Sequence, residues 1–371
     1  MLPAPLTIGP YTAKLPVVQG GMGVRISLSG LASAVANEGG IGVIATAGIG
    51  MEEKDYIADF LEANRRALRA EIKKAREATK GLLGVNILVP LSNYADMART
   101  AIEEKVEFIF SGAALPLSLP SFLEGSKTTK LVPIVSSARA AKIIIRKWMD
   151  KYRYRPDALV VEGPKAGGHL GFKEEELDDP AFALEALLEP ILKEAEAAGK
   201  EDGNLIPVIA AGGIYTGEDI YSAMAAGASG VQMATRFVTT EECDAAPGFK
   251  QAYIDAGPDD MVIIKSPVGL PGRAIRNGFL DDVAAGKKTP FKCPFHCIVT
   301  CDYQKSPYCI ALALMSAARA RMKRGFAFAG ANAYRAEKIT TVKEVVSSLL
   351  EGYAQAFSAA AAHAALPVPG L

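Results

Sequence analysis

Residues 160–172, VVEGPKAGGHLGF, join a run of β-branched residues to four glycines and a single histidine, His169. An imidazole exchanges a proton near neutral pH, so it can act as an acid or a base toward a bound substrate. Glycines remove the Cβ atoms that would keep a large planar ligand away from the backbone. We therefore expect His169 to be a catalytic residue beside a bound ligand. The alternative is a histidine that only hydrogen-bonds the local backbone.

A second group of small and polar residues occurs in two later stretches, AAGGIYTGED (210–219) and QMATR (232–236). Main-chain N–H groups at a helix N-terminus bind phosphate groups well, because they point at the anion and carry the positive end of the helix dipole. Gly212 and Gly213 would allow close approach, Thr216 or Gly217 would begin the helix, and Thr235 would add donors. The sequence predicts a phosphate site here; the alternative is a pair of tight turns.

Four of the 5 cysteines fall within the segment CPFHCIVTCDYQKSPYC. The spacing is C-x3-C-x3-C-x7-C, with Cys293, Cys297, Cys301 and Cys309. Four thiolates so close in sequence can bind a [4Fe–4S] cluster or zinc. If the first three lie on a helix, steps of four place them on one face, as a buried apolar stripe would also do. Reduced core thiols and a redox-active disulfide therefore stay open beside the metal hypothesis.

The elements that must position these residues are short apolar runs that alternate with helical patterns. The runs are residues 15–21, 39–46, 82–90, 108–114, 131–137, 158–163, 206–213 and 230–237. Each run is too uniformly apolar for a strand with one wet face, which indicates parallel strands covered by helices on both sides. Eight such repeats predict an α/β fold, a TIM (β/α)8 barrel, whose active site lies at the carboxyl ends of the strands.

The repeat ends near residue 240. We expect residues 1–240 to form the barrel and residues 241–371 to form a helical lid or extension that carries the cysteines and packs on the barrel. Arg273 and Arg276, in the stretch SPVGLPGRAIRN (266–277), are then candidates for a phosphate contact, with a surface salt-bridged loop as the alternative.

Composition narrows the class of partner. Lys plus Arg and Asp plus Glu both number 41, so no net field points to nucleic acid or to an anionic membrane. We expect a small-molecule substrate. The first residues lack the pattern of a signal peptide, and no run is long enough to cross a membrane, which predicts a cytoplasmic protein. Monomer and homodimer both stay open.

Five ordered motifs carry a resemblance to a known family. They are PVVQGGMG near the start, GVN in the third run, EGPKAGGHLG after the sixth, PVIAAGGI in the seventh and GVQMATRF in the eighth. Together they resemble the nitronate monooxygenase family, formerly 2-nitropropane dioxygenases, which includes FMN-dependent enoyl-acyl-carrier-protein reductases and NADH:quinone reductases. The resemblance implies a TIM barrel that holds non-covalent FMN at its mouth.

The resemblance also implies roles for individual residues. Met22 and Gly23 would lie against the isoalloxazine, Asn86 would bond its polar edge, and Gly168 and Gly171 would line the path of the ribityl chain. His169 would face the flavin. The full set of predicted cofactor-binding residues is Gly21, Met22, Gly23, Asn86, Gly168, Gly171, Gly212, Gly213, Gln232, Met233, Ala234 and Thr235.

The resemblance predicts an FMN-dependent oxidoreductase that oxidises alkyl nitronates, with O2 as the final acceptor. The alternative within the family is an NAD(P)H-dependent reductase of enoyl thioesters or quinones. QGGM at the first run, and Pro164 and Lys165 after the sixth, depart from the pattern of typical nitronate monooxygenases and leave the substrate open. A second alternative is a flavin-free phosphate-binding isomerase or aldolase that uses Lys165 or Lys265 as its amine.

Overall fold

In the computed structural model, which describes residues 2–199, 203, 205–288, 293 and 295–364, eight parallel strands close into a barrel. All the strands of the described residues, inside and outside the barrel, are β1 (Leu6–Ile8), β2 (Tyr11–Ala13), β3 (Val17–Gln19), β4 (Ile41–Ala45), β5 (Leu82–Leu88), β6 (Phe108–Gly112), β7 (Lys130–Val135), β8 (Leu159–Glu162), β9 (Gly168–His169), β10 (Val208–Ala211), β11 (Gly230–Met233), β12 (Met261–Lys265) and β13 (Pro271–Ile275). The barrel runs from β3 to β8 in sequence order, continues with β10 and β11, and closes where β11 pairs with β3.

Helices alternate with most of the barrel strands. They are α1 (Ser29–Asn37), α2 (Phe60–Ala78), α3 (Tyr94–Glu103), α4 (Ala138–Tyr152), α5 (Leu184–Gly199), α6 (Gly217–Ala225), α7 (Thr235–Val238), α8 (Pro247–Ile254), α9 (Gly278–Ala284), α10 (Ile310–Ala318) and α11 (Val342–Ala364). Side-chain caps fix several starts, since a cap satisfies an N–H group that has no partner within the helix. Asp59 accepts from the N–H of Glu62 before α2, and Ser137 accepts from Ala140 before α4.

Each of the eight predicted apolar runs contains one barrel strand, so the predicted TIM barrel is confirmed. Two details differ from the simple repeat. The eighth run turns into α7 after Met233, and the connection from β6 to β7 carries only a 3₁₀ turn at Leu119–Phe122. The strand runs were recognisable because they are buried on both faces and therefore need no polar alternation.

Two apolar layers hold the barrel together. One fills the barrel interior and includes Phe108, Phe110 and Ile209, all fully buried. Leu6 and Ile8 of the β1–β2 hairpin belong to this interior layer, so the hairpin covers the end of the barrel opposite the carboxyl ends of the strands. The second layer lies between the strands and the surrounding helices.

The chain after β11 does not continue the barrel. It forms α8 to α11 and the hairpin β12–β13, and β13 pairs with β9 in an antiparallel sheet of three strands. The long helix α11 packs against α6 of the barrel. The proposed boundary at residue 240 falls between α7 and α8, and its status as a domain boundary stays a prediction. Within the described residues, no helix has the length and apolar character to cross a membrane.

Gly42 tests the contact between a barrel strand and its helix. A Cβ at Gly42 would lie 1.8 Å from the backbone oxygen of Ala32 in α1, so Gly42→Ala must push α1 away from β4. We expect Gly42→Ala to lower the free energy of unfolding by about 3 kcal/mol, measured by denaturant titration. Gly278→Ala is the matched control, because a Cβ there meets open space. Equal stability of the two variants would contradict the packing described here.

Candidate active site

A cavity of about 760 Å³ opens at the carboxyl ends of the barrel strands. This volume is within the range of cofactor sites, about 300–1,000 Å³. The cavity is lined by every residue that the sequence assigned to cofactor or catalysis, namely Gly21, Met22, Gly23, Asn86, Gly168, His169, Gly171, Gly212, Gly213, Gln232, Met233, Ala234 and Thr235. Residues up to 214 positions apart in sequence thus meet at one surface, and their individual roles stay predictions.

The ends of β10 and β11 present main-chain donors to this cavity. Gly212 and Gly213 have φ values of 91° and 95°, a left-handed conformation that glycine adopts without strain. Among the hydrogen bonds of the described residues, none uses the N–H of Gly212, Gly213, Ala234 or Thr235. Polar N–H groups without a protein partner at a concave surface need a ligand or water. These four groups therefore form a cradle for an anion.

The start of α6 behaves differently from the sequence prediction. Thr216 is the N-cap and Gly217 begins the helix, as predicted. However, the N–H groups of Tyr215 and Thr216 both donate to the Asp219 carboxylate at 2.8 Å. The Asp219 side chain in the first turn of α6 therefore satisfies these N–H groups and offsets the positive end of the helix dipole. These groups are not available to a phosphate. The donors left for an anion belong to the glycine loop before the helix.

Another part of the cavity wall comes from β5 and from the residues that follow β3. A Cβ at Gly21 would lie 2.3 Å from the Cβ of Asn86, so only glycine allows the two strands' ends to meet in this way. The backbone oxygen of Asn86 accepts from the N–H and the hydroxyl of Thr46. No hydrogen bond of the described residues uses the side-chain amide of Asn86. This amide lines the cavity and can bond the polar edge of a ligand.

His169 reaches the cavity from the short strand β9. Its Nε2 lies 2.7 Å from the hydroxyl oxygen of Ser266, and its ring contacts the edge of Phe328 at 5.0 Å between centroids. Burial lowers the pKa of His169 from 6.5 to about 4. This lies below the neutral range in which a free imidazole titrates. At pH 7 His169 is neutral and held by Ser266.

The two arginines of the stretch 266–277 have structural contacts. Arg273 is 7% exposed, and its guanidinium donates to the backbone oxygens of Pro164 and Ala166. Arg276 is exposed and pairs with Asp281 at 2.9 Å. Arg273 therefore fixes the loop before His169, and the salt-bridged surface alternative describes Arg276. The predicted phosphate contact of these arginines receives no support from this geometry.

Three features of the site were missed by sequence reasoning. Glu162, at the end of β8, lines the cavity, and burial raises its pKa from 4.5 to about 7. Ser266, which hydrogen-bonds His169, lies 97 positions later in the sequence. The segment 328–332 covers the glycine loops, where the amide of Asn332 donates to the oxygen of Gly213 at 2.6 Å. Glu162 lies in the motif VVEGPKAGGHLGF, directly after the apolar residues of β8. A carboxyl at the end of a barrel strand could therefore have been predicted to line the cavity.

The four clustered cysteines lie outside the cavity wall. They are partly buried, and every one of the five thiols is free. Cys297 and Cys301 lie in irregular structure and Cys309 immediately precedes α10, so the helix considered for the first three is absent from the described residues. In the same described part of the chain, no group of three or more His, Cys, Asp and Glu side chains that could hold a metal ion is found, so the predicted metal site receives no support.

The two lysines of the flavin-free alternative differ in position. Lys165 lines the cavity, and its Cβ lies 3.0 Å from where a Cβ of Gly213 would be. Lys265 is exposed at the end of β12 and does not line the cavity. Only Lys165 has access to a ligand in this cavity.

Comparisons with known proteins agree with this arrangement. The family profile of the nitronate monooxygenases matches residues 5–352. The chain is 29% identical over 273 residues to "(3aS,4S,5R,7aS)-5-hydroxy-7a-methyl-1-oxo-octahydro-1H-indene-4-carboxyl-CoA dehydrogenase" of Mycobacterium tuberculosis, a match that covers 74% of this chain and 66% of that relative. It is 27% identical to a "Probable nitronate monooxygenase" of Staphylococcus aureus (strain Newman), covering 73% of this chain and 78% of the relative.

Among solved structures, FabK from Thermotoga maritima superposes with a TM-score of 0.73 at 27% identity, covering 94% of this chain and 96% of that one. The first relative is named as a dehydrogenase and the second as a probable monooxygenase, which are both oxidoreductases, and the profile match over residues 5–352 agrees with them. The chain therefore belongs to the nitronate monooxygenase family, an oxidoreductase family whose membership implies the use of a flavin.

Proposed function

We propose that this chain is an FMN-dependent oxidoreductase that oxidises alkyl nitronates, with O2 as the final electron acceptor. The observation that carries the proposal is the anion cradle of Gly212, Gly213, Ala234 and Thr235 on the same cavity as His169. The cradle suits a flavin phosphate, because unpaired main-chain N–H groups replace the hydration of the anion. Bound FMN would supply a two-electron acceptor at the cavity.

The remaining wall suits the rest of the cofactor. The free amide of Asn86 would bond the polar edge of the ring, and Met22 would cover part of its face. Gln232 lines the cavity, and no hydrogen bond of the described residues uses its side-chain amide, so it is a further donor near the cradle. The residues present therefore fit FMN at both its charged end and its polar edge.

The state of His169 favours a nitronate anion over a neutral nitroalkane. A base with a pKa of about 4 removes a proton from a carbon acid poorly, because the driving force for proton transfer is small. A nitronate has already lost this proton. The neutral imidazole needs only to hydrogen-bond the substrate, and no hydrogen bond of the described residues uses its Nδ1. Ser266 fixes the ring through Nε2.

A second candidate is the NAD(P)H-dependent reduction of an enoyl thioester. The relative from Mycobacterium tuberculosis is named as a dehydrogenase of a carboxyl-CoA compound, which favours a thioester as the substrate class. Glu162 adds a structural argument, since a cavity carboxyl with a pKa of about 7 is still partly protonated at neutral pH. Such a group can hold a proton near the substrate. Oxidation of nitronates without NAD(P)H separates the two candidates.

Gly213→Ala tests the anion cradle. The variant forces a side chain into a left-handed backbone conformation beside Lys165, which displaces the N–H of residue 213. We expect FMN affinity, measured by fluorescence titration of flavin-free protein, to fall at least about tenfold, a loss of about 1.4 kcal/mol. Gly286→Ala is the matched control, because Gly286 also has a positive φ but lies outside the cavity. Unchanged FMN affinity in Gly213→Ala would place the phosphate elsewhere.

His169→Asn tests the chemistry. With propionate-3-nitronate as substrate, we expect kcat/KM to fall up to about tenfold, the effect of one neutral hydrogen bond of about 1 kcal/mol. The FMN content stays constant, because the side chain acts on the substrate and not on the cofactor. We also expect the wild-type enzyme to prefer the nitronate to its nitroalkane at pH 7. Parallel assays with a crotonyl thioester and NAD(P)H test the second candidate. Wild-type rates in His169→Asn would remove the imidazole from the reaction.

Glu162 makes the stability of the protein depend on pH. Its pKa is about 7 in the folded protein and near 4.5 in the unfolded chain. The folded state therefore binds the proton more tightly, so stability is greatest below pH 4.5 and falls as the pH rises through 7. Each pKa unit between the folded and the unfolded state corresponds to about 1.4 kcal/mol in the free energy of unfolding. At pH 8 the folded protein carries a buried charge without an ion-pair partner among the described residues.

Glu162→Gln removes this cost. Relative to wild type, we expect the variant to gain about 2 kcal/mol of stability between pH 5 and pH 8, measured by denaturant titration at both values. Glu185→Gln is a control on the surface at the first turn of α5. If the two variants show the same pH dependence, the carboxyl of Glu162 is not desolvated in the folded protein.

A further inference from the structure

A second cavity lies beside the active-site cavity and has no part in the proposed function. It has a volume of about 960 Å³ and is formed by the start of α6, Arg236 of α7, residues 334–340 and one face of α11. Tyr215, which is 5% exposed, lines both cavities. The two cavities are therefore adjacent, and we name this one the outer cavity.

Two arginines of the outer cavity contact the ring of Tyr215. The Cζ atoms of Arg236 and Arg335 lie 4.9 Å and 4.8 Å from the ring centroid. The two guanidinium groups are therefore within about 10 Å of each other. A cation over an aromatic ring is favourable, but two like charges at this separation also repel each other. An anion bound near both arginines would reverse the sign of that interaction.

The protein does not neutralise these two charges. Among the ion pairs of the described residues, none includes Arg236 or Arg335. The guanidinium of Arg236 donates to the hydroxyls of Tyr215 and Ser348 at 3.4 Å and 3.3 Å, which are long hydrogen bonds. Its Nε is buried and has no hydrogen-bond partner in the described part of the chain. Neutral hydroxyls at these distances leave the charge of Arg236 uncompensated.

The other charged residues of the outer cavity are exposed. Lys338 adds a third cation, and Glu218 and Glu337 are the carboxylates in the lining. Neither carboxylate forms an ion pair with a cation of the cavity within the described residues. Solvent and salt screen exposed charges strongly and half-buried charges less. The half-buried Arg236 therefore acts most strongly on an anion that enters the cavity.

The types of side chain indicate the class of ligand. The planar fork of a guanidinium matches the oxygens of a phosphate group. Tyr334, which is 40% exposed, adds an aromatic ring to the lining of the same cavity. Exposed aromatic rings stack with nucleobases. We infer that the outer cavity binds a nucleotide, with its phosphate groups on Arg236 and Arg335 and its base against Tyr334.

This inference goes beyond the proposed function and does not depend on the nitronate substrate. Two kinds of small molecule carry a nucleotide with several phosphate groups and suit an oxidoreductase. NADPH has an extra phosphate at the 2′ position of its adenosine ribose, and CoA has one at the 3′ position. Because Tyr215 lines both cavities, a nucleotide in the outer cavity lies next to the active site.

Isothermal titration calorimetry of the full chain saturated with FMN tests the inference. FMN fills the anion cradle and leaves the outer cavity for the added nucleotide. We expect ADP to bind at one site per chain and more tightly than inorganic phosphate, because the base adds a contact. Arg335→Gln should weaken ADP binding at least about tenfold, the effect of one hydrogen bond to a charged group.

Tyr334→Ala tests the contact with the base. We expect this variant to bind ADP about tenfold more weakly and inorganic phosphate as well as wild type does. Arg146→Gln is the matched control, because it removes an exposed arginine of α4 that lines neither cavity, and it keeps the wild-type affinity for ADP. Circular dichroism shows that each variant is folded.

Adenosine 2′,5′-bisphosphate and adenosine 3′,5′-bisphosphate identify the source of the nucleotide. Preference for the first indicates NADPH and preference for the second indicates CoA, and either result supports the site. Equal binding of the two also supports it and shows that only the base and the 5′ phosphate are recognised.

Three results would overturn the inference. The first is no binding of ADP to the wild-type protein, and the second is wild-type affinity for ADP in Arg335→Gln. The third is competition between ADP and FMN, which would place the nucleotide in the anion cradle. Failure of FMN itself to bind would contradict the proposed function alone, since the ADP titrations are then made with flavin-free protein.

Discussion

The antiparallel pairing of β9 with β13 is the constraint on which the active site depends. Gly168 and His169 pair with Arg273 and Gly272, and the N–H of Leu170 donates to Pro271. A loop of this composition has little structure of its own, because glycine has the largest conformational entropy to lose. The added sheet removes that freedom. It also brings Ser266, at the end of the β12–β13 hairpin, within bonding distance of the imidazole.

Arg273 also restrains the loop that carries His169. Its buried guanidinium bonds two backbone oxygens of the loop, at Pro164 and Ala166, so the approach to His169 is fixed as well as the residue itself. A buried charge is tolerated only where several hydrogen bonds satisfy it. The barrel therefore provides the loop that carries His169, and the later part of the chain provides Ser266 and Arg273, which hold the ring and the loop.

The sequence predicted the parts of this site that depend on local rules. Barrel strands were visible as apolar runs, since strands covered on both faces need no alternation. The cavity residues followed from the ends of those runs and from the motifs, and they meet at one surface. The protonation state of His169 was not predictable, because it depends on burial by residues such as Phe328, 159 positions away. The cysteine spacing did not decide between helix and loop, because a spacing of four residues also occurs in irregular segments, and the described residues around Cys297 and Cys301 are irregular.

One cause, removal of water, shifts the pKa values of Glu162 and His169 in opposite directions. Burial disfavours the charged form of both groups, so the pKa of Glu162 rises and the pKa of His169 falls. Around pH 6 the cavity therefore contains a neutral carboxyl and a neutral imidazole. Lys165 and the main-chain N–H groups at the ends of β10 and β11 then supply positive potential in this region. An anionic group is directed to that end of the cavity, while the neutral Glu162 and His169 leave room for a planar ring with a small substrate above it.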